Sequence, residues 1–100
     1  MVLAGLEIEQ KGLQELCRRH GVRRLALFGS RLHGDARSDS DVDLLVEFQP
    51  DASVGLRFFR IQDELSSLLG HPVDLSTPGF LSPHFRDQVV KESVPIYESA

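Results

Sequence analysis

Apolar residues recur every three or four positions in two parts of the chain, a spacing typical of amphipathic helices. A glycine follows each of these segments, Gly21 after the first and Gly70 after the second, as at many helix C-termini. Near the end of the chain, Ser82 followed by Pro83 is a typical helix start. The predicted helices span roughly Leu6 to His20, Val54 to Leu69, and Ser82 to about Lys91.

Shorter apolar runs lie between these helices and predict strands. The order helix, strand, strand, helix, strand, helix favours an α+β fold with a small mixed β-sheet and helices packed on it. We expect residues 1–100 to form a single domain, since this length suits one hydrophobic core. The predicted strands span Arg23 to Phe28, Asp41 to Phe48 and His71 to Ser76, with a last short extended piece at VPIYE, residues 94–98.

Three aspartates occupy positions that strand geometry brings to one side of the sheet. Side chains alternate across a strand, so the apolar residues from Val42 to Phe48 take one face and leave Asp41 and Asp43 on the other. By the same rule Asp74, between two apolar residues of the next strand, points away from the core. If these two strands are neighbours, the three carboxylates converge. The alternative is that all three are solvated aspartates at strand ends and turns.

Clustered carboxylates repel one another unless a cation neutralises them, and Mg²⁺ binds one or two carboxylates together with waters and substrate phosphates. Gly29 and Ser30 follow the preceding strand, where a tight turn and an exposed amide suit a phosphate. Together the two features predict a site for a metal-bound triphosphate. Arg31 and Arg37 in the intervening loop are candidate phosphate contacts, or equally solvated loop cations.

Composition narrows the class of partner and the compartment. The net charge of −4 makes nucleic acid an unlikely partner, because nucleic-acid binding usually needs a basic surface. The single cysteine, Cys17, excludes a disulfide framework and suits a reducing compartment. The first ten residues do not resemble a signal peptide, and no apolar run is long enough to cross a membrane. We therefore expect a cytoplasmic protein with no membrane partner.

The segment LFGSRLHGDARSDSDVDLLVEF, residues 27–48, resembles a known family. Gly29-Ser30, ten further residues and Asp41-Val42-Asp43 match the GS-x10-DxD motif of the DNA polymerase β-like nucleotidyltransferase superfamily. The chain is similar over nearly its whole length to the minimal nucleotidyltransferases, the MNT group. Their fold is the small mixed sheet with packed helices described above.

The resemblance implies a Mg²⁺-dependent transfer of a nucleoside monophosphate, AMP from ATP, with two metal ions expected. It places the metals on Asp41, Asp43 and Asp74, and the triphosphate on Gly29, Ser30 and Arg31. It also makes Asp74 the candidate base for the acceptor hydroxyl. Minimal nucleotidyltransferases typically pair with a small helical HEPN protein in toxin–antitoxin systems, and some transfer AMP to a tyrosine of that toxin.

Two other functions stay open. The chain could be a binding module that neutralises a partner by covering it, with a weak or inactive nucleotide site. It could also keep the chemistry and use a different acceptor, such as a nucleic acid or an antibiotic. Larger relatives use additional domains for such acceptors, and these 100 residues leave no room for one.

Overall fold

The computed structural model of the protein describes residues 2–3, 5–29 and 41–99. Strands and helices follow one another along these segments, and two of the helices pack on the main sheet. The elements are β1 Val2–Leu3, β2 Leu6–Glu7, α1 Gln10–Arg19, β3 Val22–Phe28, β4 Val42–Phe48, α2 Arg57–Leu69, β5 Val73–Ser76, a 3-10 helix Pro78–Phe80, α3 Arg86–Glu92 and β6 Val94–Glu98.

The main sheet has the strand order β5-β4-β3-β6 and is mixed. β3 pairs antiparallel with both β4 and β6, whereas β4 and β5 run parallel. A parallel pair needs a crossover connection, and α2 provides it between β4 and β5. The predicted α+β fold with a small mixed sheet is confirmed, including the pairing of the VPIYE segment as β6.

The hydrophobic core lies between one face of this sheet and helices α1 and α2. The predicted alternation of β4 is confirmed on this face, since Val42, Leu44 and Val46 are fully buried. The helices contribute one apolar stripe each, and Leu65 of α2 is completely inaccessible to solvent. Truncating such a buried leucine to alanine typically costs about 2–5 kcal/mol of stability. The core residues of the helices are Leu13, Leu16 and Cys17 in α1, and Ile61, Leu65 and Leu69 in α2.

The first helix begins four residues later than predicted. Leu6 and Glu7 form a strand that pairs with Val2–Leu3, and α1 starts only at Gln10. The prediction was wrong because the sequence from Leu6 to Glu9 alternates apolar and acidic residues with a period of two. Leu6 and Ile8 are both buried while Glu7 and Glu9 are exposed, which suits an extended chain.

The third helix is also shorter than predicted. The amides of Phe85 and Arg86 both donate to the Ser82 carbonyl, at 3.0 and 2.9 Å, so the chain first makes a turn and the helix begins at Arg86. The preceding 3-10 helix was not predicted. Its position is fixed by the Arg86 side chain, which donates to the Pro78 carbonyl at 2.8 Å and the Leu81 carbonyl at 3.2 Å. These bonds depend on where the Arg86 side chain lies, which local helix preferences do not encode.

The second helix begins at Arg57 rather than Val54 and ends where the sequence predicts. Gly70 adopts the left-handed conformation, with φ +71°, and its amide donates to the Ser66 carbonyl at 2.9 Å. Three residues then connect α2 to β5, so the helix lies directly over this edge strand. Within the described residues, no helix is long and apolar enough to cross a membrane.

Candidate active site

Asp43 and Asp74 lie side by side on neighbouring parallel strands. The register of β4 and β5 pairs them directly, and the residues on either side, Val42 with Val73 and Leu44 with Leu75, pair as well. Those flanking side chains are buried in the core, whereas Asp43 is half-buried and Asp74 is exposed on the opposite side. The predicted convergence of these two carboxylates is confirmed.

Asp41 immediately precedes β4 and is exposed. Its charge reaches the pair, because the pKa of Asp43 is raised above its ordinary value by burial, then by the negative charge of Asp74, and then by that of Asp41. Within the described part of the chain, no lysine or arginine forms an ion pair with Asp43. The three aspartates therefore form a cluster in which each ionised carboxylate makes the ionisation of Asp43 more costly.

Gly29 brings the backbone against this cluster. It follows Phe28, the β3 residue that pairs with Asp43, and has φ +87°. A Cβ at this position would meet the Asp43 carboxylate and lie only 2.9 Å from its Cγ. Glycine is thus required for both the conformation and the space, since the Asp43 carboxylate lies where a Cβ would be. The other predicted loop residues, Ser30, Arg31 and Arg37, lie outside the described residues.

The donor set suits a divalent cation by its chemistry. In residues 2–3, 5–29 and 41–99, no three His, Cys, Asp or Glu side chains are placed closely enough to hold a metal ion. Burial and the neighbouring carboxylates together raise the pKa of Asp43, and a hard cation with oxygen ligands would offset both effects. The residues present therefore fit Mg²⁺ as ligands, although their side chains are not gathered around one point.

Two polar residues of α2, not singled out by the sequence analysis, hold the strand that carries Asp74. Gln62 Oε1 accepts a hydrogen bond from the Leu75 amide at 3.0 Å, and Ser66 Oγ accepts one from the Val73 amide at 3.0 Å. Their spacing of four residues puts them on one side of the helix, but this spacing does not indicate which backbone amides they bind.

Two further features of the molecule are the buried Cys17 and a group of exposed apolar side chains. Cys17 is fully buried in the core, and burial raises the pKa of its thiol to about 12, which does not suit a nucleophile. Several large apolar side chains are exposed around the start of α2 and the 3-10 helix. They are Leu56, Phe59 and Phe80, and Phe85, which precedes α3, is exposed as well.

A family model described as a nucleotidyltransferase domain matches residues 9–96 of the chain. This match covers β3, β4 and β5, and with them Gly29 and all three clustered aspartates. Gly29 and the three aspartates, which lie near the start of β4 and in β5, are therefore all within the matched domain.

Named relatives agree with this match. The protein adenylyltransferase MntA of the archaeon Thermococcus cleftensis is 41% identical over 81 residues, 81% of each chain. A solved structure provisionally assigned as a minimal nucleotidyltransferase is 40% identical, covers 87% of this chain and 88% of its own, and superposes with a TM-score of 0.71.

A more distant solved structure shares the fold alone. It comes from the complex of a tri-AMPylated HEPN toxin of Shewanella oneidensis with an MNT antitoxin. The match is 22% identical, covers 90% of this chain and 70% of the other, and has a TM-score of 0.61.

Proposed function

The chain belongs to the nucleotidyltransferase family, and we propose that it transfers AMP from ATP to a hydroxyl group of a partner protein. The observation that carries this proposal is the direct pairing of Asp43 with Asp74 beside Gly29. A relative named protein adenylyltransferase, at 41% identity, supports AMP as the transferred group and a protein as the acceptor.

Asp41, Asp43 and Asp74 are the residues that would hold Mg²⁺, and we propose two ions. The bound metal would neutralise charge on the phosphates and on the oxygens that attack and leave. The three carboxylates supply the negative charge that this requires, and the pKa of Asp43, raised by burial and then by its two neighbours, supports a need for a cation there. Gly29, Ser30 and Arg31 are the proposed triphosphate-binding residues.

In the proposed reaction, the acceptor oxygen forms a bond with the α-phosphorus of ATP while the bond to the β-phosphate bridging oxygen breaks. Pyrophosphate leaves with the electron pair of that bond. The proton of the acceptor hydroxyl goes to the carboxylate of Asp74, which is exposed and therefore open to an incoming chain. The half-buried Asp43 is confined by Gly29 on one side and Asp74 on the other, which suits a fixed ligand rather than a proton carrier.

The proposed acceptor is a helical HEPN-type toxin, with this chain as its antitoxin in the cytoplasm. The complex of an AMPylated HEPN toxin with an MNT antitoxin, whose fold this chain shares, supports such a partner. The acidic charge of the chain disfavours nucleic acid as the acceptor.

A second candidate function is neutralisation by binding alone. The exposed apolar side chains around α2 favour it, since Leu56 is 86% exposed and Phe80 is 72% exposed. Apolar groups that are grouped in this way often mark protein–protein contacts. This candidate needs no intact carboxylate cluster.

One experiment separates the two functions. A variant with Asp41, Asp43 and Asp74 all changed to Asn would be compared with the wild type in cells that express the partner toxin. Complex formation would be measured by co-purification and transfer by label from α-³²P-ATP with Mg²⁺. We expect the variant to bind the toxin, transfer no label and fail to neutralise it. Full neutralisation by the variant would instead establish the binding module.

A further inference from the structure

The strand that carries Asp74 lies at the edge of the sheet, with β4 on one side only. Backbone groups of successive strand residues point to opposite edges, so Asp74 directs its own N–H and C=O towards β4. The amides of Val73 and Leu75 consequently point outward, where the described structure has no further strand. An edge strand of four residues, held on one side, would be free to shift or fray.

Two side chains of α2 bind those outward amides. Gln62 accepts from the Leu75 amide and Ser66 from the Val73 amide, each at 3.0 Å. The Ser66 hydroxyl also donates to the Gln62 carbonyl at 2.9 Å, so both its donor and one of its acceptor positions are used. The two bonds lie immediately before and after Asp74 and replace the missing neighbouring strand.

We propose that Gln62 and Ser66 are positioning residues, which fix the backbone on both sides of Asp74 and hold its carboxylate beside Asp43. This inference rests on the proposed function, because it assigns Asp74 a part in the transfer. A shift of β5 by one residue would turn Asp74 into the core and bring Val73 or Leu75 out. The two side-chain bonds oppose that shift, and their acceptors lie on a helix that is itself anchored in the core by Ile61 and Leu65.

Variants at Gln62 separate positioning from a merely structural role. Gln62→Met keeps the length of the side chain and removes the acceptor, whereas Gln62→Glu keeps an acceptor oxygen. Ser66→Ala is a second test at the other amide. Ser67→Ala, an exposed neighbour on the same helix, is the matched control. Thermal unfolding of each variant confirms that the comparison is made between folded proteins.

The readouts are amide hydrogen exchange at Val73 and Leu75, Mg²⁺ affinity by calorimetry, and kcat and KM for ATP. In Gln62→Met we expect exchange at Leu75 to be about 5- to 10-fold faster, with exchange at Ala26 in β3 unchanged. Mg²⁺ affinity and kcat should fall about 10- to 100-fold while KM for ATP stays within about twofold. Gln62→Glu should restore most of the loss, and Ser67→Ala should match the wild type.

Two results would overturn the positioning role. Faster exchange at Leu75 with unchanged kcat and Mg²⁺ affinity would make Gln62 structural only. Unchanged exchange in both Gln62→Met and Ser66→Ala would show that the two bonds do not hold β5. A wild-type protein that transfers no label would refute the proposed function instead. Mg²⁺ affinity would then decide the positioning role alone, and equal affinity in wild type and Gln62→Met would refute it.

Discussion

Asp43 and Glu47 lie four residues apart on the same face of β4, and their surroundings differ in charge. Glu47 pairs across the sheet with Arg24, and its carboxylate also lies 2.8 Å from the Arg23 guanidinium. Asp43 pairs across the sheet with Asp74, and its charge is opposed by Asp41 as well. Among the described residues, one end of the strand is thus neutralised by arginines of the chain, and the other end concentrates negative charge.

We interpret this difference through the proposed function, in which the Glu47 carboxylate serves the fold and the aspartates bind a ligand. The ion pairs of Glu47 join β3 to β4 and extend to β6, where Glu98 contacts Arg24 at 3.4 Å. The Asp43 cluster lowers the stability of the isolated chain, since burial and like charges oppose its ionisation. If this repulsion served no function, another residue at the position of Asp43 or Asp74 would give a more stable fold. The repulsion therefore supports the proposal that the cluster is half of a site that Mg²⁺ and a triphosphate complete.

Gly29→Ala should have the largest effect of these changes, at the end of β4 that carries Asp43. The left-handed φ of +87° and the contact of the new Cβ with the Asp43 carboxylate should together cost about 1–3 kcal/mol of stability and displace that carboxylate. Gly70→Ala is the matched control, because φ there is +71° and no described atom lies within 4 Å of the added Cβ. Chemical denaturation and transfer assays on both variants check this. Equal stability losses, with activity kept in both, would contradict the close contact at Gly29.

The pH dependence of stability should sharpen the same contrast. Because the pKa of Asp43 is raised in the folded state, the native chain holds this proton more tightly than the unfolded chain does. Its contribution to stability is thus highest at acid pH and falls as pH rises from 3.8, the ordinary value, through the raised pKa. Thermal unfolding in EDTA should show this fall in the wild type and in Glu47→Gln.

The fall should be smaller in Asp43→Asn, which has no carboxyl group to ionise at this position. Asp43→Asn should also be more stable than the wild type near neutral pH when Mg²⁺ is absent. Identical pH profiles for Asp43→Asn and the wild type would mean that ionisation of Asp43 does not lower the stability of the folded chain.

Glu47→Gln should produce the smallest effect. Its ion pairs lie at the surface, with the Arg23 side chain 52% exposed, so we expect a loss of about 0.2–1 kcal/mol at low ionic strength. Salt at about 1 M should remove most of the difference from wild type, because it screens exposed charges. Denaturation at two salt concentrations measures this. A larger loss that persists in salt would mean that Glu47 is a structural residue of the interior.

The convergence of Asp43 and Asp74 could be predicted because it needs only the alternation of side chains and one assumption about neighbouring strands. The turn at Gly29 followed from the same local rules. The helix predicted from Leu6 failed because four residues fit a period of two better than they fit a helix. Over so short a stretch, pairing with Val2–Leu3 determines that these residues form a strand rather than a helix.

The bonds from Gln62 and Ser66 to β5 could not be predicted, because they depend on where α2 crosses the edge of the sheet. A glutamine and a serine in a helix have many possible partners, and the sequence contains nothing that selects a backbone amide 13 or 7 residues away. The 3-10 helix was missed for a similar reason, since its position depends on bonds from the Arg86 side chain to the Pro78 and Leu81 carbonyls.

The most direct test of the account compares the two carboxylates of β4 in one assay. Wild type, Asp43→Asn and Glu47→Gln would each be incubated with α-³²P-ATP, Mg²⁺ and a native-cell lysate, and the proteins separated by gel. We expect one labelled acceptor with wild type and with Glu47→Gln, and a loss of at least about 1,000-fold with Asp43→Asn. Equal labelling by Asp43→Asn and wild type would contradict the assignment of the acidic cluster as the active site.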